Sequence, residues 1–187
     1  LHNNRIRPAS KSFKQSSVNR SIDNLQTQKL KSLLQRHDFT LLTGALSLVN
    51  ALFYRYTNQE DIVIGSLLSP LEHDKLDSLY HTVALRSRFS GTDNFIQLLE
   101  NVKKVTLEGV LNSTYSLDEL INDLNLPEDK SRNPLFDVMV LHDDTDAWKT
   151  GEHSNINKSG LNLIFVFKET EGGLNVDIQY DSDLFEE

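Results

Sequence analysis

With 187 residues, 21.3 kDa, 38% hydrophobic and 25% charged side chains, the chain reads as one globular domain or one lobe of a larger one, not a disordered protein. Nineteen basic against 27 acidic side chains leave a net charge of -8, which repels phosphate backbones and argues against a nucleic-acid role. The absence of cysteine excludes disulfides, thiolate zinc sites and cysteine nucleophiles and fits a reducing cytoplasm, and no run approaches the roughly 20 apolar residues of a membrane span.

Residues 1–16 read as an extended leader and 17–187 as a compact lobe. The leader side of the chain carries Arg5, Arg7, Lys11, Lys14 and Arg20 before the first acid, Asp23; with serines between the charges and Phe13 as lone aromatic, it reads as solvated rather than as a basic arm. No apolar run follows the first charges, so a signal peptide is not expected. Val18 to Ile22 is predicted as a short strand. Leu30, Leu33 and Leu34 at helical spacing predict an amphipathic helix over Leu25 to His37. Asp38-Phe39-Thr40 offers turn and N-cap chemistry, and Thr40 to Tyr56 is apolar on nearly every side, a helix buried on more than one face. Asp61 to Gly65 is a strand too apolar for an edge.

Leu79 to Phe89 alternates as a strand, and Asp93 is placed to cap a long helix ending at Leu111. A short helix is expected over Leu117 to Leu124, and a strand beginning at Pro134 and running to Leu141. Leu161 to Phe167 and Leu174 to Tyr180 form a hairpin with Gly172-Gly173 in its turn. Mixed helices and strands with consecutive strands at the end predict α/β or α+β: a partly antiparallel, mixed sheet packed with helices.

Among six histidines, His142 and Asp146 have the His-x-x-x-Asp spacing of some acyltransferases, but Asp143 and Asp144 between them make a solvated strand end the plainer reading. His81 lies inside an apolar strand, as a hydrogen-bonded core group or a tunnel-lining polar one. No Gly-x-Ser-x-Gly elbow and no phosphate-cradling glycine loop occurs, and no metal site is expected. The residues alone yield no self-sufficient active site.

Several segments, in fixed order, resemble the condensation domains of nonribosomal peptide synthetases, specifically their carboxy-terminal half. Leu1 to Pro8 is similar to the family's Leu-Pro-x-Asp-Arg-Pro-Arg-Pro entry segment. Thr57-Asn58-Gln59-Glu60-Asp61-Ile62-Val63-Ile64-Gly65 matches its Asp-Ile-Val-containing run, and Leu79 to Arg86 is similar to Phe-Val-Asn-Thr-Leu-Pro-Leu-Arg. The most specific match is Ser131-Arg132-Asn133-Pro134-Leu135-Phe136-Asp137-Val138-Met139-Val140, and Tyr180 to Phe185 is similar to a late Tyr-x-x-x-Leu-Phe. Asp61, Gly65, Arg132, Asn133, Pro134 and Phe136 are thus the family-motif structural residues. The chain departs from the pattern at His81, where the family has asparagine, and at Ser113 to Asp118, which keeps Tyr115 and loses a proline.

The resemblance implies a chloramphenicol acetyltransferase-like fold, two lobes with a tunnel between them. Carrier domains deliver thioesters there on 4′-phosphopantetheine arms, and an amine attacks to give an amide. The family's His-His-x-x-x-Asp-Gly motif would lie upstream of Leu1, so no catalytic residue is assigned, and this chain would form one tunnel wall, inactive alone. His81 and Arg86 are tunnel or interlobe candidates, with the partner of Arg86 expected in the other lobe. The partners implied are the amino-terminal lobe, peptidyl carrier domains and an adjacent adenylation domain, and the exposed interlobe face would favour self-association. A non-catalytic docking lobe, or a cyclisation or epimerisation relative, are the alternatives.

Overall fold

The computed structural model describes residues 6–10, 13–69, 80–127, 129–143 and 161–186. Among these residues ten elements follow in order: β1 (Gln15–Asp23), α1 (Asn24–Arg36), α2 (Leu41–Thr57), β2 (Asp61–Leu68), β3 (His81–Arg88), α3 (Phe95–Leu111), α4 (Leu117–Leu124), β4 (Val138–His142), β5 (Leu163–Thr170) and β6 (Gly173–Asp181).

The helices start where short polar side chains satisfy free amides. Asp23 caps α1 by accepting from the Gln26 amide at 2.8 Å, and Thr40 caps α2 by accepting from the Thr43 amide at 3.1 Å. The sequence placed the cap of α3 at Asp93; it is Asn94. Asn94 and Gln97 close a reciprocal capping box (Asn94 amide to Gln97 Oε1 2.8 Å, Gln97 amide to Asn94 Oδ1 3.1 Å), whereas Asp93 accepts from the Ser90 amide in the preceding turn. Ser116 and Glu119 do the same for α4. Asn58 and Asn125 end α2 and α4 in the left-handed region, where asparagine is tolerated.

One six-stranded sheet, in the order β1-β6-β5-β4-β2-β3, carries the fold. β4 runs parallel to β2 and β5, and every other neighbouring pair is antiparallel. The mixed sheet agrees with the predicted α/β class. On one face α1, α2 and α3 cover Ile62, Ile64, Leu85, Val138, Val140, Phe165 and Phe167, packed with Leu46, Val49, Phe53 and Val102 of the helices. Each such side chain taken fully out of water contributes about 1.5–3 kcal/mol. The opposite face holds Met139, Leu141, Ile164 and Val166, packed with Phe136 and Leu161. α2 is buried on several sides as its sequence predicts, even its polar Thr43, Ser47 and Asn50; Ser47 Oγ donates to the Thr43 carbonyl at 2.8 Å.

Three boundaries differ from the sequence reading. β1 starts at Gln15, inside the stretch assigned to the leader, because all nine of its residues pair with β6. β4 starts at Val138, not Pro134, since Asn133 Oδ1 accepts from the Leu135 amide at 3.1 Å and the Phe136 amide at 3.4 Å and holds them in a turn. In the β5–β6 hairpin the turn is Glu171-Gly172, and Gly173 is already paired with Thr170. Gly173 has φ 138°, and a Cβ there would overlap the Ile22 carbonyl and lie 3.0 Å from the Asp23 carbonyl carbon, so β1 comes this close only because the residue is glycine.

Candidate functional site

The residues singled out from sequence fall on two neighbouring parts of the sheet, the β2–β3 pair and the turn entering β4. Antiparallel register places Asp61 opposite Arg88 and Val63 opposite Arg86, so Asp61, Arg86 and Arg88 share the face away from α1, α2 and α3. Arg86 grips Asp61 in a bidentate pair, Nε to Oδ1 at 2.8 Å and Nη2 to Oδ2 at 2.7 Å, and Arg88 Nε adds a bond to Oδ2 at 3.1 Å. Hydrogen bonding from Arg86, with that from Arg88, holds the Asp61 carboxyl down at about 2. Arg86, whose partner was expected in another lobe, thus has a carboxylate partner within its own sheet. The carboxylate is on the adjacent strand of the same sheet, delivered by the β2–β3 register.

His81 and Arg86 do not form one site. Five positions apart on a strand, they point to opposite faces; His81, opposite Leu68, lies on the helix-covered side at the far end of β3. His81 is only partly buried there.

Gly65 and Phe136, from separate motifs, meet directly. A Cβ on Gly65 would overlap the Phe136 ring, with ring Cζ at 2.6 Å and Cδ2 at 2.7 Å. The ring thus lies flush on the β2 backbone, and the turn that presents it is the one braced by Asn133 around Pro134. Arg132 extends from this turn to within 3.7 Å of Asp137 and 3.9 Å of Asp129. Hydrogen bonds from the Ser131 hydroxyl (2.6 Å) and amide (2.8 Å) lower the Asp129 carboxyl from its usual range.

Sequence reasoning gave no role to Arg7. Its Nη1 donates to the Ser131 carbonyl at 2.9 Å and to Asn162 Oδ1 at 3.3 Å, tying the leader to the β4 turn and to the start of β5. Arg7, Asp61, Arg132, Asp137 and Asn162 line a cavity of about 280 Å³. Its only signal in the sequence was Arg7-Pro8 within the entry segment.

Among the described residues no site assembles around the histidines. His142 ends β4 with its Nε2 buried and without a hydrogen-bond partner among the described residues, and the neighbouring Asp143 pairs with Lys168 Nζ at 2.8 Å. Asp144 and Asp146, with His2, His73 and His153, lie outside the described residues. Among the described residues no group of three or more acids and histidines is placed to hold a metal, and no helix is long and apolar enough to cross a membrane.

The chain is similar to known proteins in sequence and in fold. Surfactin synthase subunit 2 of Bacillus subtilis (strain 168) is 33% identical over 195 residues, and bacitracin synthase 2 of Bacillus licheniformis 35% identical over 151 residues. These alignments take in 97% and 78% of this chain but only 5% and 6% of the relatives, so the chain spans about a twentieth of their length. Among solved structures, a four-domain nonribosomal peptide synthetase, holo-AB3403 bound to AMP and glycine, superimposes with a TM-score of 0.87 at 16% identity over 98% of this chain and 16% of that one. The X-domain from teicoplanin biosynthesis superimposes with a TM-score of 0.85 at 20% identity, over 100% of this chain and 46% of that one. The Condensation domain family profile matches residues 1–187, the whole sequence, and the chain belongs to that family.

Proposed function

We propose that this chain is the carboxy-terminal lobe of a condensation domain in a nonribosomal peptide synthetase and forms one wall of its substrate tunnel. The observation that carries this reading is a family match along the whole chain, combined with coverage of only 45–46% of the X-domain and of the condensation domain from the Monacolin K polyketide synthase MokA. A half-length match and a sequence without His-His-x-x-x-Asp-Gly go together if the other half carries that motif. The substrates would be aminoacyl or peptidyl thioesters on the 4′-phosphopantetheine arms of carrier domains, beside an adenylation domain, in the cytoplasm. In the reaction the acceptor amine attacks the thioester carbonyl carbon, a C–N bond forms and the C–S bond breaks. The amine loses a proton and the carrier leaves as its thiol. This lobe contributes rigid positioning: Asp61 clamped by Arg86 and Arg88, and Phe136 seated on Gly65, fix the sheet face and the β4 turn. Holding two reactants in place accounts for several kcal/mol of barrier in favourable cases.

The deciding assay supplies carrier domains loaded with donor and acceptor and follows dipeptide by mass spectrometry. The 187-residue chain alone should give none above a no-protein control, and the chain joined to an amino-terminal lobe with an intact histidine motif should give product. Sustained amide formation by the chain alone would overturn the reading. A second reading, a lobe that docks partners without catalysis, is favoured by the likeness to the X-domain, which is known in a complex with OxyB; a joined protein that binds loaded carriers but makes no amide would select it.

A further inference from the structure

The sheet has a free edge at β3, since among the described residues β3 pairs only with β2. A groove of about 360 Å³ runs along this edge between α3 and α4, lined by the β3 residues Thr82, Ala84 and Arg86 and by Gly109, Tyr115 and Leu120. It exists because Gly109 lets α3 lie low on the strand: a Cβ there would approach Leu85 Cδ2 to 2.7 Å. α4, on the other flank, buries none of its residues.

Two features of the flanks are independent of the groove. Leu107, Leu111, Tyr115, Leu124 and Leu126 are each 37–69% exposed, so half of the large exposed apolar side chains among the described residues fall within 20 positions. The stretch from Val105 to Pro127 also carries Glu108, Asp118, Glu119 and Asp123 and no Lys, Arg or His. Neither α3 nor α4 has a basic residue in its last turn, so the partial negative charge of both carboxy-terminal helix ends adds to the acids. The one guanidinium in the groove, Arg86, shares Asp61 with Arg88, and Lys104 Nζ lies 4.0 Å from Glu108, so the excess negative charge of this surface is that of Asp118, Glu119, Asp123 and the helix ends.

From an unpaired strand edge, apolar flanks and the excess of acids on α4, we infer that the β3 groove docks an extended polypeptide segment of alternating apolar and Lys/Arg residues. The segment adds as a seventh strand. Its backbone pairs with the outward amides and carbonyls of β3, its apolar side chains meet the leucines of α3 and α4, and its cations meet the helix ends and the acids of α4, with Glu108 shared with Lys104. An acidic partner is repelled by the same surface. This inference does not depend on the catalytic reading above.

The probe is the blocked, fluorescently labelled peptide Lys-Val-Lys-Val-Lys-Val-Lys, titrated into the 187-residue chain by anisotropy. Binding should weaken as salt rises, and the analogue with Glu at each Lys should not bind. Glu108→Lys, at an exposed position where it replaces the weak surface pair with Lys104, should weaken binding by about tenfold while the far-UV circular dichroism of the chain is kept. N-methylation of alternate peptide residues should abolish binding in one register and spare it in the other, because only one edge of the added strand faces β3. Hydrogen exchange should slow at alternate amides of His81–Arg88 on peptide addition. Equal binding of the acidic analogue, indifference to N-methylation in both registers, or protection confined to other elements overturns the proposal. So does sedimentation showing a second copy of the chain already held on β3 and not displaced by peptide.

Discussion

Replacing Gly65 with alanine should be among the most damaging single-methyl changes available in this chain. The new Cβ would sit 2.6–2.7 Å from Phe136 Cζ and Cδ2, against about 3.4 Å for ordinary contact. The ring is 5% exposed and its turn is tethered by Asn133, so neither ring nor β2 backbone yields easily. Overpacking of this kind costs about 1–3 kcal/mol, and the upper end is expected here. Phe136→Ala alone should cost about 3–5 kcal/mol through the cavity it leaves. In that background the Gly65 methyl enters vacated space, so the double variant should be more stable than the sum of the singles predicts, by about 1–3 kcal/mol. Urea unfolding followed by far-UV circular dichroism gives all four free energies. Costs that add to within about 0.5 kcal/mol would refute the claim that this glycine exists to seat this ring.

Asp61 should give stability a distinctive acid limb. Its folded carboxyl lies at about 2 against an ordinary 3.8, so its contribution is complete above about pH 4 and fades as pH falls towards 2. Asp61→Asn should erase that part of the profile, read as urea midpoints between pH 2.5 and 6; identical acid limbs would count against the clamp. Gly173→Ala should cost about 1–3 kcal/mol, visible as a lowered thermal midpoint, because no L side chain sits easily at φ 138° beside the Ile22 carbonyl. In the joined, catalytically competent domain, Arg86→Ala should lower condensation; unchanged turnover and stability would reduce it to an ornament of the strand. His81→Asn should preserve amide formation and His81→Leu should not, and if both variants work at full rate His81 is packing only.

What could be read in the sequence followed distance along the chain. α1, α2 and α4 were legible because their periodicity and caps lie within a few residues of one another. The cap of α3 was legible in principle: Asn94 has Gln97 three positions on to reciprocate, whereas Asp93 has Ile96, which cannot. The start of β4 was misplaced because Pro134 to Asp137 continues the apolar run, while Asn133 takes the amides a ladder would use. The composition of the candidate site, motif by motif, came from resemblance. Its pairings did not. Asp61 to Arg86 depends on hairpin register across 25 positions, Gly65 to Phe136 on a parallel crossover, and Arg7 to Asn162 on a separation of 155 positions. Local propensity carries no information about such closures.

The pairing of β1 with β6 has a consequence in time. Gln15 finds its partner in Asp181, 166 positions later, and Asp23 in Gly173. On a ribosome adding about 5–20 residues per second, the first strand waits roughly 10–30 s for the last one. An apolar strand kept waiting so long would recruit other nascent chains. β1 is instead Gln-Ser-Ser-Val-Asn-Arg-Ser-Ile-Asp, with only Val18 and Ile22 apolar. Its polarity, which in the sequence blurs it into the leader, makes it a strand that can remain alone in water until the sheet it closes has been made.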